Sequence, residues 1–176
     1  MADTRRVPPT RSSLLASGAL GAALLAVAAC GAEGAGAECT MIGSSPGMSV
    51  MVRHPDAARV ASASLRVCWD GTCREPGIEL GPSSTSVPLG CEGEEPDAVC
   101  AASASPDGGK TGFAVVEGLP KAPVRVTLEL RDTGGRVLVE RRLDVTPKAT
   151  YPNGPDCDEG APQVVLTVAN GTVTAA

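Results

Sequence analysis

An antiparallel β-sandwich of seven to nine short strands, stapled by disulfides, is the fold class the sequence predicts, and three observations predict it. After residue 39 the apolar side chains recur at every second position in short segments, and no long stretch repeats them at helical spacing. Turn formers separate those segments, with 21 Gly and 15 Pro in 176 residues. Seven cysteines accompany one Trp, one Tyr and one Phe, so a Val, Leu and Ala core is expected to need covalent help. A chain of this length has room for one packed core. A small barrel or a jelly roll satisfies the same pattern.

The elements follow in order. Met48, Val50 and Val52 alternate with Ser49, Met51 and Arg53 as a first strand, and Pro55 to Val60 offers a turn or two of helix. Ala63, Leu65, Val67 and Trp69 alternate with Ser64, Arg66 and Cys68 as a second strand, ending at the hairpin pair Asp70-Gly71. Weaker strand candidates are Ile78 to Leu80, Val87 to Cys91, Val99 to Ala102 and Phe113 to Val116. Gly108-Gly109-Lys110-Thr111 falls short of a phosphate-binding loop, because Ala104 stands where the first Gly belongs, and it reads as an ordinary loop. Val124 to Arg131 is the clearest half-buried strand, and Asp132-Thr133-Gly134-Gly135 turns it back into Arg136 to Val145. Val164, Leu166 and Val168 mark a last strand, and Asn170-Gly171 gives one more turn before a short tail.

From Phe113 through Gly118-Leu119-Pro120 into the strand at Val124, the chain resembles the E-to-F passage of immunoglobulin-like and transthyretin-like modules. That resemblance covers about 20 residues. It implies an immunoglobulin-like arrangement of the two sheets, without the core Trp-to-disulfide packing of antibody domains.

Residues 1–29 are organised differently. Arg5, Arg6 and Arg11 precede an uncharged run from Leu14 to Ala29 that ends in small residues, the layout of an export signal. Gly18 and Gly21 dilute the run, and it falls below the length of a membrane span. Export by the general route and by the twin-arginine route both remain open. Val27-Ala28-Ala29-Cys30 at its end resembles the lipobox of bacterial lipoproteins, which implies that Cys30 carries a diacylglycerol thioether and begins the mature protein. Two acyl chains contribute about 0.8 kcal/mol per buried CH2, enough for stable anchoring. Residues 30–38 then read as the lipidated cysteine and a flexible Gly- and Ala-rich tether, and residues 39–176 as the folded domain. Taken whole, the chain is similar to the small exported lipoproteins of high-GC Gram-positive bacteria. The location this implies is the extracytoplasmic face of the cell membrane, with the lipid bilayer as a partner through Cys30.

Setting Cys30 aside leaves an even number, Cys39, Cys68, Cys73, Cys91, Cys100 and Cys157, which allow 15 pairings. An Asp70-Gly71 hairpin places Cys68 opposite Cys73, and Cys91 with Cys100 brackets an acidic loop. Cys39 with Cys157 remains. Structural zinc is disfavoured by the spacing and by the single histidine, His54.

Composition excludes several functions. Without the first 29 residues, which carry three Arg and one Asp, 12 basic and 19 acidic side chains give a net charge of −7, so nucleic acid is not an expected partner. One histidine and no G-x-S-x-G motif give no hydrolase arrangement, the aromatics are too few for a sugar-binding cleft, and no catalytic residue and no cofactor is expected. The reading is a non-catalytic interaction or structural module of the cell envelope, with an envelope protein as partner. The alternative is a small-ligand or calcium-binding module, with Tyr151, Asn153, Asp156, Asp158 and Glu159 as its loop, although the ordered EF-hand spacing is absent. Tyr151 either offers a binding edge or packs under its own loop.

Overall fold

Aliphatic residues on alternate positions give each strand one face to bury, and two sheets meet on those faces. The computed structural model describes residues 39–176 except residues 94, 96 and 97. The export signal, Cys30 and the tether lie outside the described residues. Ten strands run in chain order as β1 (Gly47–Val52), β2 (Ser62–Trp69), β3 (Thr72–Arg74), β4 (Gly81–Glu92), β5 (Val99–Val115), β6 (Val124–Arg131), β7 (Val137–Val145), β8 (Lys148–Ala149), β9 (Pro162–Ala169) and β10 (Thr172–Ala175). The larger sheet has the order β10-β9-β1-β5-β4, with β8 also on β9, and the smaller has the order β3-β2-β6-β7. The fold is an all-β sandwich. Among the described residues no helix is long and apolar enough to cross a membrane.

Met48, Val50 and Val52 of β1 and Val164, Leu166 and Val168 of β9 face Leu65 and Val67 of β2 and Val124, Val126, Leu128 and Leu130 of β6, all of them buried. Each such side chain contributes roughly 1.5–3 kcal/mol relative to exposure. No aromatic ring is fully buried. Trp69 sits half-buried at the rim, with the Arg74 guanidinium 5.2 Å from its ring centre. Asp56 is the buried charge, and its carboxylate accepts from the Gly171 N–H at 2.8 Å and from Arg59 at 3.1 Å. It thereby ties the short 3-10 turn Asp56–Ala58 to the turn between β9 and β10.

Local turn chemistry sets the hairpins. Asp70 and Gly71 both take positive φ, 47° and 75°, as a two-residue turn requires, and Trp69 pairs with Thr72 and Cys68 with Cys73. Cys68 and Cys73 are bonded with Cα atoms 4.0 Å apart, Cys91 and Cys100 at 3.9 Å, and Cys39 and Cys157 at 5.8 Å. The Asp132-Thr133-Gly134-Gly135 turn joins β6 to β7, its Asp132 carboxylate accepting from the N–H groups of Gly134 and Arg136.

Five expectations need correction. Among the described residues there are ten strands and two of them are long, 12 residues in β4 and 17 in β5, where the sequence predicts short separate pieces. One pairing, β1 with β9, is parallel, and both strands turn their alternate aliphatics to the core. The tail after Asn170-Gly171 is β10, which pairs back on β9 through Val173, itself buried. Gly108-Gly109-Lys110-Thr111 lies inside β5, not in a loop. There the two glycines form an irregularity in the ladder, and Lys110 donates to the Val60 carbonyl at 2.5 Å. The Ile78 to Leu80 stretch forms no strand, and its two aliphatics pack half-buried against the core.

Candidate interaction surface

The two outer faces of the sandwich are unlike. On the smaller sheet the outward residues are Arg66 on β2, then Arg125, Glu129 and Arg131 on β6 and Glu140, Arg142 and Asp144 on β7, interleaved with Ser64 and Thr127. Most of these charges are paired, Arg66 with Glu75 at 3.7 Å, Arg125 with Asp144 at 3.2 Å and Arg131 with Glu129 at 2.6 Å. An open groove of about 620 Å³ runs over this face beside Trp69, lined by Arg66, Arg125, Arg142 and Asp144.

The larger sheet presents the opposite chemistry. Outward from β9 stand Gln163, Val165, Thr167 and Ala169, from β1 Ser49 and Met51, and from β5 Thr111, Phe113 and Val115, so no charge stands on this outer face where the three central strands pair. Phe113 is 39% and Val115 51% exposed. Gly47 explains how the Phe113 ring lies flat: a Cβ at Gly47 would run into that ring and into the Ala114 carbonyl.

Past Asp107 and Arg53 at the junction, an uncharged arm follows. Beyond the end of β1, Ser84–Glu92 and Val99–Pro106 pair only with each other and bury none of their residues. Leu89 at 67% and Val99 at 73% exposure stand out on it, with Val87 beside them. Neither strand of the arm carries a charge from Gly81 to Gly90 or from Val99 to Pro106, although charged residues make up 20% of the chain. An isolated two-stranded ribbon is marginal in water. The Cys91–Cys100 bond closes its far end, next to the acidic residues Glu92 and Glu95. At its base the Asp107 carboxylate accepts from the Ser83 hydroxyl at 2.5 Å and from the Gly109 N–H at 2.9 Å. Those two hydrogen bonds hold the Asp107 carboxyl below its ordinary value against the opposing effect of burial, with a lesser contribution from Arg53. Gly109 is required there, since a Cβ would meet the Asp107 carboxylate and the Val52 carbonyl at 3.0 Å.

The residues singled out as a ligand loop are placed together, but most have internal partners. The Asn153 side chain accepts from the Ile42 N–H at 3.3 Å, donates to the Ile42 carbonyl at 3.0 Å and bonds the Thr40 hydroxyl. Glu159 forms an ion pair with Lys121 and accepts from the Tyr151 hydroxyl at 3.2 Å, and the Lys121 contact is the main reason its carboxyl is held below the ordinary value. Asp156 and Asp158 are exposed. Among the described residues no three His, Cys, Asp or Glu side chains converge as a metal site. With the Cys39–Cys157 bond, and with Ser44 bonding the Thr150 hydroxyl at 2.6 Å and accepting from the Ala161 N–H at 2.8 Å, this region clamps the entry of the domain.

No residue of the uncharged face is among the site residues the sequence predicts, although a signal for it is present. The strands GMSVMV and QVVLTVA lack charge on both of their faces, whereas VRVTLELR carries charge on its polar one. No family model, no curated protein and no solved structure matches the chain.

Proposed function

We propose that this chain is a lipoprotein anchored through Cys30 to the extracytoplasmic face of a bacterial cell membrane, and that it serves there as a non-catalytic interaction module of the envelope. The observation that carries the interaction role is the uncharged outer face of the larger sheet, with the uncharged arm beyond it, in a domain whose other face is thoroughly ionised. Charge depletion together with exposed Phe113 and Val115 and half-buried Met51 is the composition of an interface centre rather than of a solvated surface. The anchor rests on the Val27 to Cys30 resemblance alone.

A cell experiment tests both parts. A photo-crosslinking side chain replaces Thr167 on the uncharged face or Thr127 on the charged face, in the full chain with Cys30 and in its Cys30→Ser variant. Adducts are expected from position 167 and not from 127, and the Cys30→Ser chain is expected in the soluble exported fraction. Equal labelling from the two faces would refute the interaction face, and membrane retention of the Cys30→Ser variant would refute the anchor.

A further inference from the structure

We propose that the arm is a self-recognition element, through which two copies of this chain join by pairing the free edge of β5 antiparallel to itself from Val99 to Ser105. This rests on the reading of the chain as an interaction module and names the partner of one part of it. Two edges of the arm are exposed, and they differ. Along β4 the edge is broken by Pro82 and Pro88, which have no N–H to offer, and by register shifts at both prolines. Along β5 the neighbour β1 covers only Lys110 to Val115. The remaining stretch, Val99-Cys100-Ala101-Ala102-Ser103-Ala104-Ser105, has no Pro, no Gly and no charge, so nothing in it blocks strand addition.

The ladder tells which groups point outward. Cys91 and Cys100 face each other with Cα atoms only 3.9 Å apart, the narrow spacing of a pair that exchanges no backbone hydrogen bonds. The N–H and C=O of Cys100 therefore point away from β4, and by alternation so do those of Ala102 and Ala104. A two-fold axis at Ala102 sets Ala102 against its own copy and Cys100 against Ala104, so these groups pair with the same groups of a second copy. Ala102 and Ala104 are small enough for the backbones to approach, and Val99, Ala101 and Ser103 of both copies fall on one face, extending the uncharged surface across the axis.

Charge selects a second copy over an arbitrary strand. The free edge of β5 lies in line with β1, just past its last pairing of Val52 with Lys110. A copy running antiparallel there brings its arm tip, with Glu92 and Glu95, to the segment following Val52, where Arg53 and His54 are exposed. Neither Glu92 nor Glu95 is in an ion pair with a described residue, and Arg53, which acts at a distance on the Asp107 carboxylate, forms no direct ion pair with a described residue. Symmetry makes the contact twice. An interface of one short strand and two rim charge contacts belongs to the small, weak class, so the association is reversible.

Sedimentation of the purified full chain in detergent tests this. A concentration-dependent dimer is expected at about 100 μM, with Ala102 and Ala104 amides protected from exchange. Ala102→Pro with Ala104→Pro removes the outward donors and leaves the β4 ladder intact, and is expected to weaken the dimer at least about tenfold. Arg53→Glu should also weaken it, and Glu92→Arg with Glu95→Arg in the same chain should restore it. If the proline variant fails to fold, the charge reversal and its rescue decide. A monomer at that concentration, or a dimer indifferent to the proline and charge variants alike, overturns the proposal. Crosslinking from position 167 to another protein would still stand in that event, so this failure is separable from failure of the proposed function.

Discussion

The sandwich body and the arm solve the same problem with different means. In the body, aliphatic side chains from both sheets are fully buried, and the hydrophobic effect fixes strand register because a one-residue slip would expose every one of them. Nothing comparable acts on the arm. Both its faces are solvated, and its order rests on ladder hydrogen bonds, one disulfide at the tip and one carboxylate clamp at the base. Hydrogen bonds exchanged against water contribute only about 1 kcal/mol each, so a ribbon without a core needs its two ends fixed. The lesson is that covalent and charged contacts sit where burial is missing.

The same division applies to the entry of the domain, and there the largest effect is expected. Residues 39 to 46 precede β1, and the Cys39–Cys157 bond closes a loop of 118 residues. Loop entropy gives an upper bound of about 5 kcal/mol for that bridge, before native strain and residual structure are subtracted. Cys39→Ser with Cys157→Ser should lower the global unfolding free energy by several kcal/mol, read as the midpoint shift in denaturant. Loss of this bond also leaves the Asn153 and Ser44 contacts without covalent support, so the amides of Ile42 and Ala161 should lose protection first. An unchanged midpoint would mean that those hydrogen bonds hold the entry by themselves.

Legibility in the sequence follows the same physics. Where burial decides, alternation is visible, as in Val124 to Arg131 or Met48 to Val52, and the hairpin pairs Asp70-Gly71 and Asn170-Gly171 mark their turns. Where burial does not decide, the pattern is blank. Gly81-Pro82-Ser83-Ser84-Thr85-Ser86 has no apolar period because neither face of the arm is buried, and β5 reads as a short strand, a loop and another strand because its outer half packs against nothing. The Asp107 clamp depends on Ser83, 24 residues away, and Asn153 on Ile42, 111 residues away, distances over which spacing carries no information. Residue type marks Asn153 and Glu159 as ligand donors, and their internal partners come from chain segments that only the fold brings close.

A smaller and more local effect is expected at the arm tip. The Cys91–Cys100 loop spans nine residues, worth roughly 2.6 kcal/mol to whatever unit it closes. If that unit is the arm alone, Cys91→Ser with Cys100→Ser leaves the global midpoint almost unchanged. The amides of Ala101 and Ser103, which pair toward β4, should then lose protection by up to about two orders of magnitude. A global shift as large as that of the Cys39–Cys157 variant would erase the distinction between arm and body, because it would show that the arm unfolds only with the sandwich.

The smallest effect is electrostatic and lies at the arm's base. Asp107 is held below its ordinary value chiefly by the Ser83 hydroxyl and then by the Gly109 N–H. The unfolded arm therefore binds its proton more readily than the folded one. The carboxylate's contribution is fully present above the ordinary range near about pH 4 and is lost as pH falls through the lower folded value. Between pH 7 and 5 the protection of arm amides, corrected for intrinsic exchange, should stay constant. In more acidic solution it should fall in the arm before it falls at Leu128 or Val126, which are shielded by burial. Asp107→Asn keeps an acceptor oxygen facing Ser83 and Gly109 but has no proton to gain there. Its arm should be somewhat less protected at neutral pH and should lack the acid-dependent step. The same step in the Asn variant would assign it to another carboxylate, with Asp132 in the β6–β7 turn, also held low by the Arg136 N–H, the first to replace next.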